Sequence, residues 1–270
     1  MSTLTISDQE FRQFQSFIHR VAGISLSPAK KALICGRLGN RIQKKGLESY
    51  SDYFKLIAGG TEPSETQVAV DLLTTNETYF FREPKHFDLL REHARAHLAR
   101  GRAEPFRVWS AASSSGEEAY SIAMVLADVL EDRPWEIVGS DISTRVLERA
   151  RTGHYVDMRA RNIPNEYLKR FCLKGTGAQA GTVLVSKALR SRVSFVQVNL
   201  NEALPAVGKF DVIFLRNVMI YFNNETKRQV VGRLLEFLKP GGYFLIGHSE
   251  SLNDITDKLD QVAPSSYRKP

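Results

Sequence analysis

The chain is poor in cysteine, with Cys35 and Cys172 the only two in 270 residues. Two isolated thiols build neither a disulfide framework nor a clustered metal site, which points to a reducing cytoplasm. No run of apolar residues approaches the length of a membrane span, and the opening MSTLTISDQEF lacks the apolar centre of a signal peptide. Membrane insertion is therefore not expected. Low-complexity tracts and long internal repeats are also missing, which excludes solenoids and linker-dominated chains.

Acidic residues are absent from one stretch altogether. Residues 30–45, KKALICGRLGNRIQKK, carry six basic side chains and no Asp or Glu, the sharpest asymmetry behind the net charge of +7. Such a stretch is either a solvated helix face that aids solubility or a docking surface for an acidic partner. A dinucleotide fingerprint is missing too. GTGAQAG places Gly175, Gly177 and Gly181 one residue out of register for G-x-G-x-x-G, and the strand-like TVLV follows it where a helix is required.

What is present is ordinary globular material, 43% hydrophobic and 25% charged, long enough to bury a large core as one main domain with a smaller companion. The first third reads helical. SDQEFRQFQSFIHRVAG spaces Phe11, Phe14, Phe17 and Ile18 along one helix face, with Ser7 as N-cap and Gly23 as stop. In the basic stretch, Leu33, Ile34, Leu38 and Ile42 form an apolar stripe, while Arg37, Arg41, Lys44 and Lys45 fall largely on another face. SYSDYFKLIAGG and SETQVAVDLLTT read as two more short helices. The expected division is a helical domain over 1–83, a linker helix over 84–104, and an α/β domain over 105–270.

From FRVWSAA onward, strands alternate with helices: GEEAYSIAMVLADVL, WEIVGSD, STRVLERART, VSFVQVNL, FDVIFLRN, ETKRQVVGRLLEFL and YFLIG. This alternation predicts an α/β fold with a doubly wound parallel sheet. The near-continuous apolar FDVIFLRN should be buried on both faces. Residues 165–192 interrupt the pattern and read as an inserted antiparallel β-subdomain.

Ligands of open α/β sheets bind beyond the carboxyl ends of the strands. Those ends bring together the turn Ala111–Gly116 with Glu117 and Glu118, then Asp141, then Asn199 and Leu200, then Arg216 and Asn217. An acid ending the second strand typically holds a ribose, but Asp141 could equally cap the helix beginning at DISTRVLERA. Carboxylates beside the first helix's start would repel a pyrophosphate. The expected ligand is a nucleoside without phosphate, carrying positive charge, a description that S-adenosylmethionine (SAM) meets.

Together VWSAASSSGEEAYSIAM, GSDIS, FDVIFLRNVMIYF, LKPGGYFLIGHSE and TTNETYFFRE resemble the CheR-type methyltransferases over nearly the whole chain. That resemblance implies a SAM-dependent methyltransferase fold. The implied activity is methylation of glutamate side chains on chemoreceptors, leaving S-adenosylhomocysteine and needing no metal. It also implies cofactor contacts at Asn76, Thr78, Arg82, Glu118, Asp141, Asn199, Leu200, Arg216 and Asn217. The partners implied are the cytoplasmic helices of methyl-accepting receptors, which would recruit the enzyme to receptor arrays. Because such helices are expected to be acidic, the acid-free basic stretch is expected to dock them through Arg37, Arg41, Lys44 and Lys45. Some family members also grip a receptor C-terminal peptide on the β-insertion, here around Gly175, Gly177 and Gly181. The chain departs from the family's usual first turn at Ala112, Ser113 and Ala119.

A glutamate, with a pKa of about 4.3, is already anionic at neutral pH. Its methylation needs alignment with the methyl–sulfur bond and no general base. Positioning donors are therefore the expected catalytic groups, and Arg82 and Tyr221 are the candidates. Plainer readings stand beside three residues of this region: Tyr221 in VMIYF as a core aromatic, Arg216 as the cap of a buried strand, His248 as a structural support. A nucleic-acid methyltransferase is the alternative suggested by a pI near 9.4, yet RNVMIY stands where an Asn/Asp-Pro-Pro-Tyr motif or a catalytic Cys would be expected. A non-catalytic SAM or peptide sensor is the other.

Overall fold

The computed structural model describes residues 4–60, 62–101 and 104–270. The helical domain contains α1 (Asp8–Ala22), α2 (Lys31–Lys44), α3 (Tyr50–Ala58) and α4 (Pro63–Leu73). Ser7 and Glu10 form a reciprocal capping box on α1, and Gly23, at φ 70°, closes the helix with its N–H on the His19 carbonyl. On α2 the stripe of Ile34, Leu38 and Ile42 is buried, whereas Leu33, expected in it, is 40% exposed. One residue ahead of Ile34, it is turned about 100° off the buried face.

Helix α5 (Lys85–Ala99) follows Pro84. It is a layer of the α/β domain as well as a connection: Phe87 lies 6.1 Å from Phe214, and His93 lies 4.7 Å from Tyr243. The chain continues through β1 (Phe106–Ser110), α6 (Glu117–Leu130), β2 (Trp135–Asp141), α7 (Thr144–Thr152), β3 (His154–Val156), α8 (Asp157–Ala160) and α9 (Asn165–Phe171). Then come β4 (Cys172–Lys174), β5 (Thr182–Val185), α10 (Lys187–Arg190), β6 (Val193–Gln197) and β7 (Phe210–Leu215). The last elements are α11 (Asn224–Leu235), β8 (Leu238–Ile246), β9 (Asp260–Ala263) and β10 (Ser266–Arg268).

The main sheet runs β6-β2-β1-β7-β8-β10-β9. Its first five strands pair in parallel, while β10 and β9 add antiparallel. Every residue of β7 is buried, as its apolar run requires. Strand order reverses between β1 and β7, the point where such sheets take ligands.

The inserted sheet is β3-β5-β4 and is antiparallel. It begins earlier than the expected 165–192, because His154–Val156 pairs with Thr182–Leu184. In its turn Gly175 donates to the Thr182 carbonyl at 2.8 Å. A Cβ there would lie 1.9 Å from the Gln179 carbonyl, so only glycine closes the turn.

Helical-domain residues Phe14, Leu38 and Leu73 share one buried cluster with Ile213, Leu234 and Phe244 of the α/β domain. Residues 74–84 cross between the two. Phe80 is fully buried, with its ring 5.0 Å from Tyr155. Phe81 is half-buried against Phe87 and Tyr167. Tyr79, their neighbour in the chain, is 45% exposed, and the Arg82 guanidinium lies 5.6 Å from its ring centroid. Phe81 and Glu83 hold φ values of 54° and 58°, each costing roughly 1–2 kcal/mol for a residue with a Cβ.

Candidate active site

A cavity of about 300 Å³ opens at the reversal point between β1 and β7. Asn76, Thr78, Arg82, Glu118, Asp141, Asn199, Leu200, Arg216 and Asn217 all line it, as do Tyr221 and Arg37. Residues at four strand ends and in the crossing segment thus meet at one place.

The Asp141 carboxylate accepts the Ser114 N–H at 2.9 Å on one oxygen and the Ser143 N–H at 2.9 Å on the other. Burial raises its pKa to about 6, against the pull of those amides and with help from the nearby Asp71 charge. The first amides of α7 go elsewhere: Asp71 of α4 takes the N–H groups of Thr144 at 3.1 Å and Arg145 at 3.3 Å. Asp141 therefore braces the first turn, and a carboxylate with about four acceptor positions keeps capacity for a ligand.

Glu118 accepts from Ser110 Oγ at 2.7 Å and from Arg216 Nη1 at 2.9 Å, and burial raises its pKa. Arg216, its side chain 1% exposed, also pairs with Glu83 at 2.9 Å and donates to the Arg82 carbonyl. Its guanidinium is committed to fixing Glu118 and the 82–83 backbone. Glu83 had no role in the sequence reading, although it stands inside TTNETYFFRE. Burial works to raise its pKa, but Arg216 and the His248 amide hold it below the ordinary value.

Glu83, His86 and His248 bring possible metal-ligand atoms within 4.8 Å of one another. Glu83 Oε2, however, takes two Arg216 donors, and Oε1 takes Asn217 Nδ2 and the His248 N–H. Its acceptor positions are filled by the protein, which makes this group an anchor of loops and a poor ion cage.

The Asn199 amide is committed likewise, donating to the Val21 carbonyl at 2.7 Å and to Glu202 at 2.9 Å. Leu200 offers buried apolar wall. Asn76 receives Ser114 Oγ on its carbonyl at 3.0 Å, tying the crossing segment to the first turn. Arg82 is looser: it reaches the Glu77 carbonyl at 3.4 Å. Burial raises the Tyr221 pKa, opposed by a hydrogen bond with Thr75 and the charges of Arg82 and Arg37. Its hydroxyl therefore stays protonated at neutral pH.

The basic stretch divides. Arg37 donates to the Leu72 and Thr74 carbonyls at 3.1 and 2.8 Å, finishing α4. Arg41 grips the buried Glu65, and Lys45 pairs with Glu62 at 2.8 Å. Lys44 is exposed. Gly175, Gly177 and Gly181 lie in the inserted sheet's turn and are not part of the cavity wall.

Two carboxylates with raised pKa values, Arg82 and a neutral phenol surround the cavity. They suit a ligand bearing hydroxyls and positive charge beside an incoming anion. Residues 9–74 match the family described as CheR methyltransferase, all-alpha domain, and residues 76–268 match CheR methyltransferase, SAM binding domain. The chemotaxis protein methyltransferase of Escherichia coli is 42% identical over 267 residues, covering 98% of this chain and 92% of that protein. Chemotaxis protein methyltransferase 2 of Pseudomonas aeruginosa is 43% identical over 262 residues, covering 96% and 92%. Among solved structures, N-methyltransferase NodS from Bradyrhizobium japonicum, in complex with S-adenosyl-l-homocysteine, aligns with a TM-score of 0.41 at 13% identity, over 74% of this chain and 95% of that one.

Proposed function

Because this chain belongs to the CheR methyltransferase family, a family of SAM-dependent chemotaxis methyltransferases, we propose that it methylates glutamate side chains of chemoreceptors. The observation carrying this reading is the pair of desolvated carboxylates, Asp141 and Glu118, facing one cavity at the point where strand order reverses. Each gains from a ligand that brings hydroxyls or positive charge. In this reading Asp141 holds the ribose, and Glu118 the amino group.

Bound there, SAM supplies an electrophilic methyl on a sulfonium. The chain's own residues do the rest. Arg82, lightly held, orients either the cofactor's carboxylate or the incoming glutamate. Tyr221 donates its hydroxyl to the glutamate oxygen, and Arg216 opposes the burial that raises the Glu118 pKa and holds the Arg82 backbone in place. No side chain needs to take a proton, since the nucleophile arrives as a carboxylate.

The receptor helix is expected to approach beside α2. Among the residues assigned to docking, Lys44 is the exposed cation; the other three act through the shape they give that face. A receptor C-terminal peptide is expected to add to the edge of the inserted sheet, and calorimetry with such peptides tests this, with no binding to any of them counting against it.

The activity test uses methyl-labelled SAM and receptor, followed by a rise in pH. Carboxyl methyl esters release volatile methanol, whereas methylated bases do not. Label that stays fixed would indicate a different acceptor, and no transfer would indicate a sensor.

A further inference from the structure

We propose that Glu250 is a positioning residue for the methyl transfer: its carboxylate is the template on which residues 217–221 fold to face Asn217 and Tyr221 into the cavity. This rests on the function proposed above, since it concerns how that site is assembled.

Residues 217–221 leave the end of β7 and turn through a single 3-10 turn, Met219–Tyr221. Within the segment the backbone closes on itself sparingly, with Tyr221 N–H on the Val218 carbonyl at 3.1 Å. The amides that point away from it converge on one side chain. Glu250 Oε2 accepts the N–H groups of Asn217 at 2.9 Å and Gly247 at 2.6 Å, and Oε1 accepts Ile220 at 3.2 Å. One carboxylate therefore links the carboxyl ends of two neighbouring strands, β7 and β8, to the turn that carries Tyr221.

The segment needs such an anchor. Asn217 holds φ 57°, a left-handed conformation that local geometry disfavours. Its far side is pinned separately, by Ser25 N–H on the Tyr221 carbonyl at 2.7 Å and by the bridge between Ile24 and Phe222. The turn is thus held between the helical domain and Glu250. Only a carboxylate can accept on both oxygens. A glutamine there would set an NH₂ against at least one backbone N–H and release that part of the turn.

Two measurements on the full chain test the proposal. In Glu250→Gln, hydrogen exchange at the Asn217 and Ile220 amides should rise by about 10-fold or more, while amides in the middle of β7 keep their protection. Turnover should fall by about 10²-fold, the cost of a misplaced reacting group. Tyr221→Phe should then slow the Glu250→Gln variant less than it slows the wild type, because the phenol is already displaced. A carboxylate that only stabilised the fold would lower protection everywhere and leave the Tyr221→Phe factor the same in both backgrounds. Either that result or unchanged exchange at the two amides overturns the proposal. Should Tyr221→Phe be silent in the wild type, the catalytic reading of Tyr221 fails, and the exchange experiment still decides the role of Glu250.

Discussion

Asp141→Asn should make the ligand-free protein more stable and its cofactor binding worse. Burial raises this carboxyl from the ordinary 3.8 to about 6. Below the ordinary value the group is protonated in both folded and unfolded chains, and its ionisation does not affect stability. As pH rises past 3.8 the unfolded chain gives up its proton first, and the folded state loses stability until about 6. The accumulated cost at neutral pH is ~3 kcal/mol. Asparagine removes the charge, but its NH₂ must face the N–H of either Ser114 or Ser143, which costs about 1–2 kcal/mol. The net gain is ~1–2 kcal/mol, a rise in Tm of about 2–8 °C for a chain of this size.

Affinity should move the other way. If the ionised form binds the ribose hydroxyls, wild-type affinity for SAM falls about 10-fold between pH 7.5 and pH 5, following the protonated fraction. Glu118 also lies in the cavity, so the difference between the wild-type and Asp141→Asn curves isolates Asp141. Scanning calorimetry of the ligand-free protein and titration calorimetry with SAM across that pH range measure both effects. An Asn variant that is less stable yet binds SAM normally would refute the reasoning and leave Asp141 as a brace for the first turn alone.

Arg82→Ala should lower methylation by about 10²-fold or more with little change in the urea midpoint, since Arg82 is held by a long 3.4 Å contact to Glu77 and by the Tyr79 ring. Arg216→Met should cost about 3–5 kcal/mol in urea unfolding, because it leaves Glu83 and Glu118 without their shared cation; a loss under about 1 kcal/mol would mean the pair is solvated. Lys44→Glu should weaken receptor methylation at low salt and leave SAM binding intact. Arg41→Glu should instead destabilise the fold, by turning a second carboxylate on the buried Glu65, so a thermal scan separates the two.

The parts legible in the sequence were those written in contiguous residues. The run FDVIFLRN marked a strand covered on both faces, and the residues just after each strand marked the cavity wall. Strand β3 has three residues, β9 four and β10 three. Stretches so short carry no periodicity, and their existence depends on partners far along the chain. The ion pairs of the basic stretch were hidden for the same reason. Residues 30–45 hold no acid, but α4 folds back so that Glu65 neutralises Arg41, while Glu62, just ahead of it, neutralises Lys45. The triad of Glu83, Arg216 and Glu118 joins residues 133 and 98 positions apart, a juxtaposition that no local pattern encodes.

The two family matches divide the chain between residues 74 and 76, but no physical seam lies there. Asp71, before that division, is the acceptor for the first amides of α7, after it. Phe14 and Leu73 share their apolar cluster with Ile213 and Phe244. A fragment beginning at Asn76 would open that cluster to water and strand the N-terminal donors of α7. The chain should therefore melt as one cooperative unit, with a single calorimetric transition. The helical segment is then a constituent of the enzyme's folded state, and deleting it would report on stability before it reported on receptor recognition.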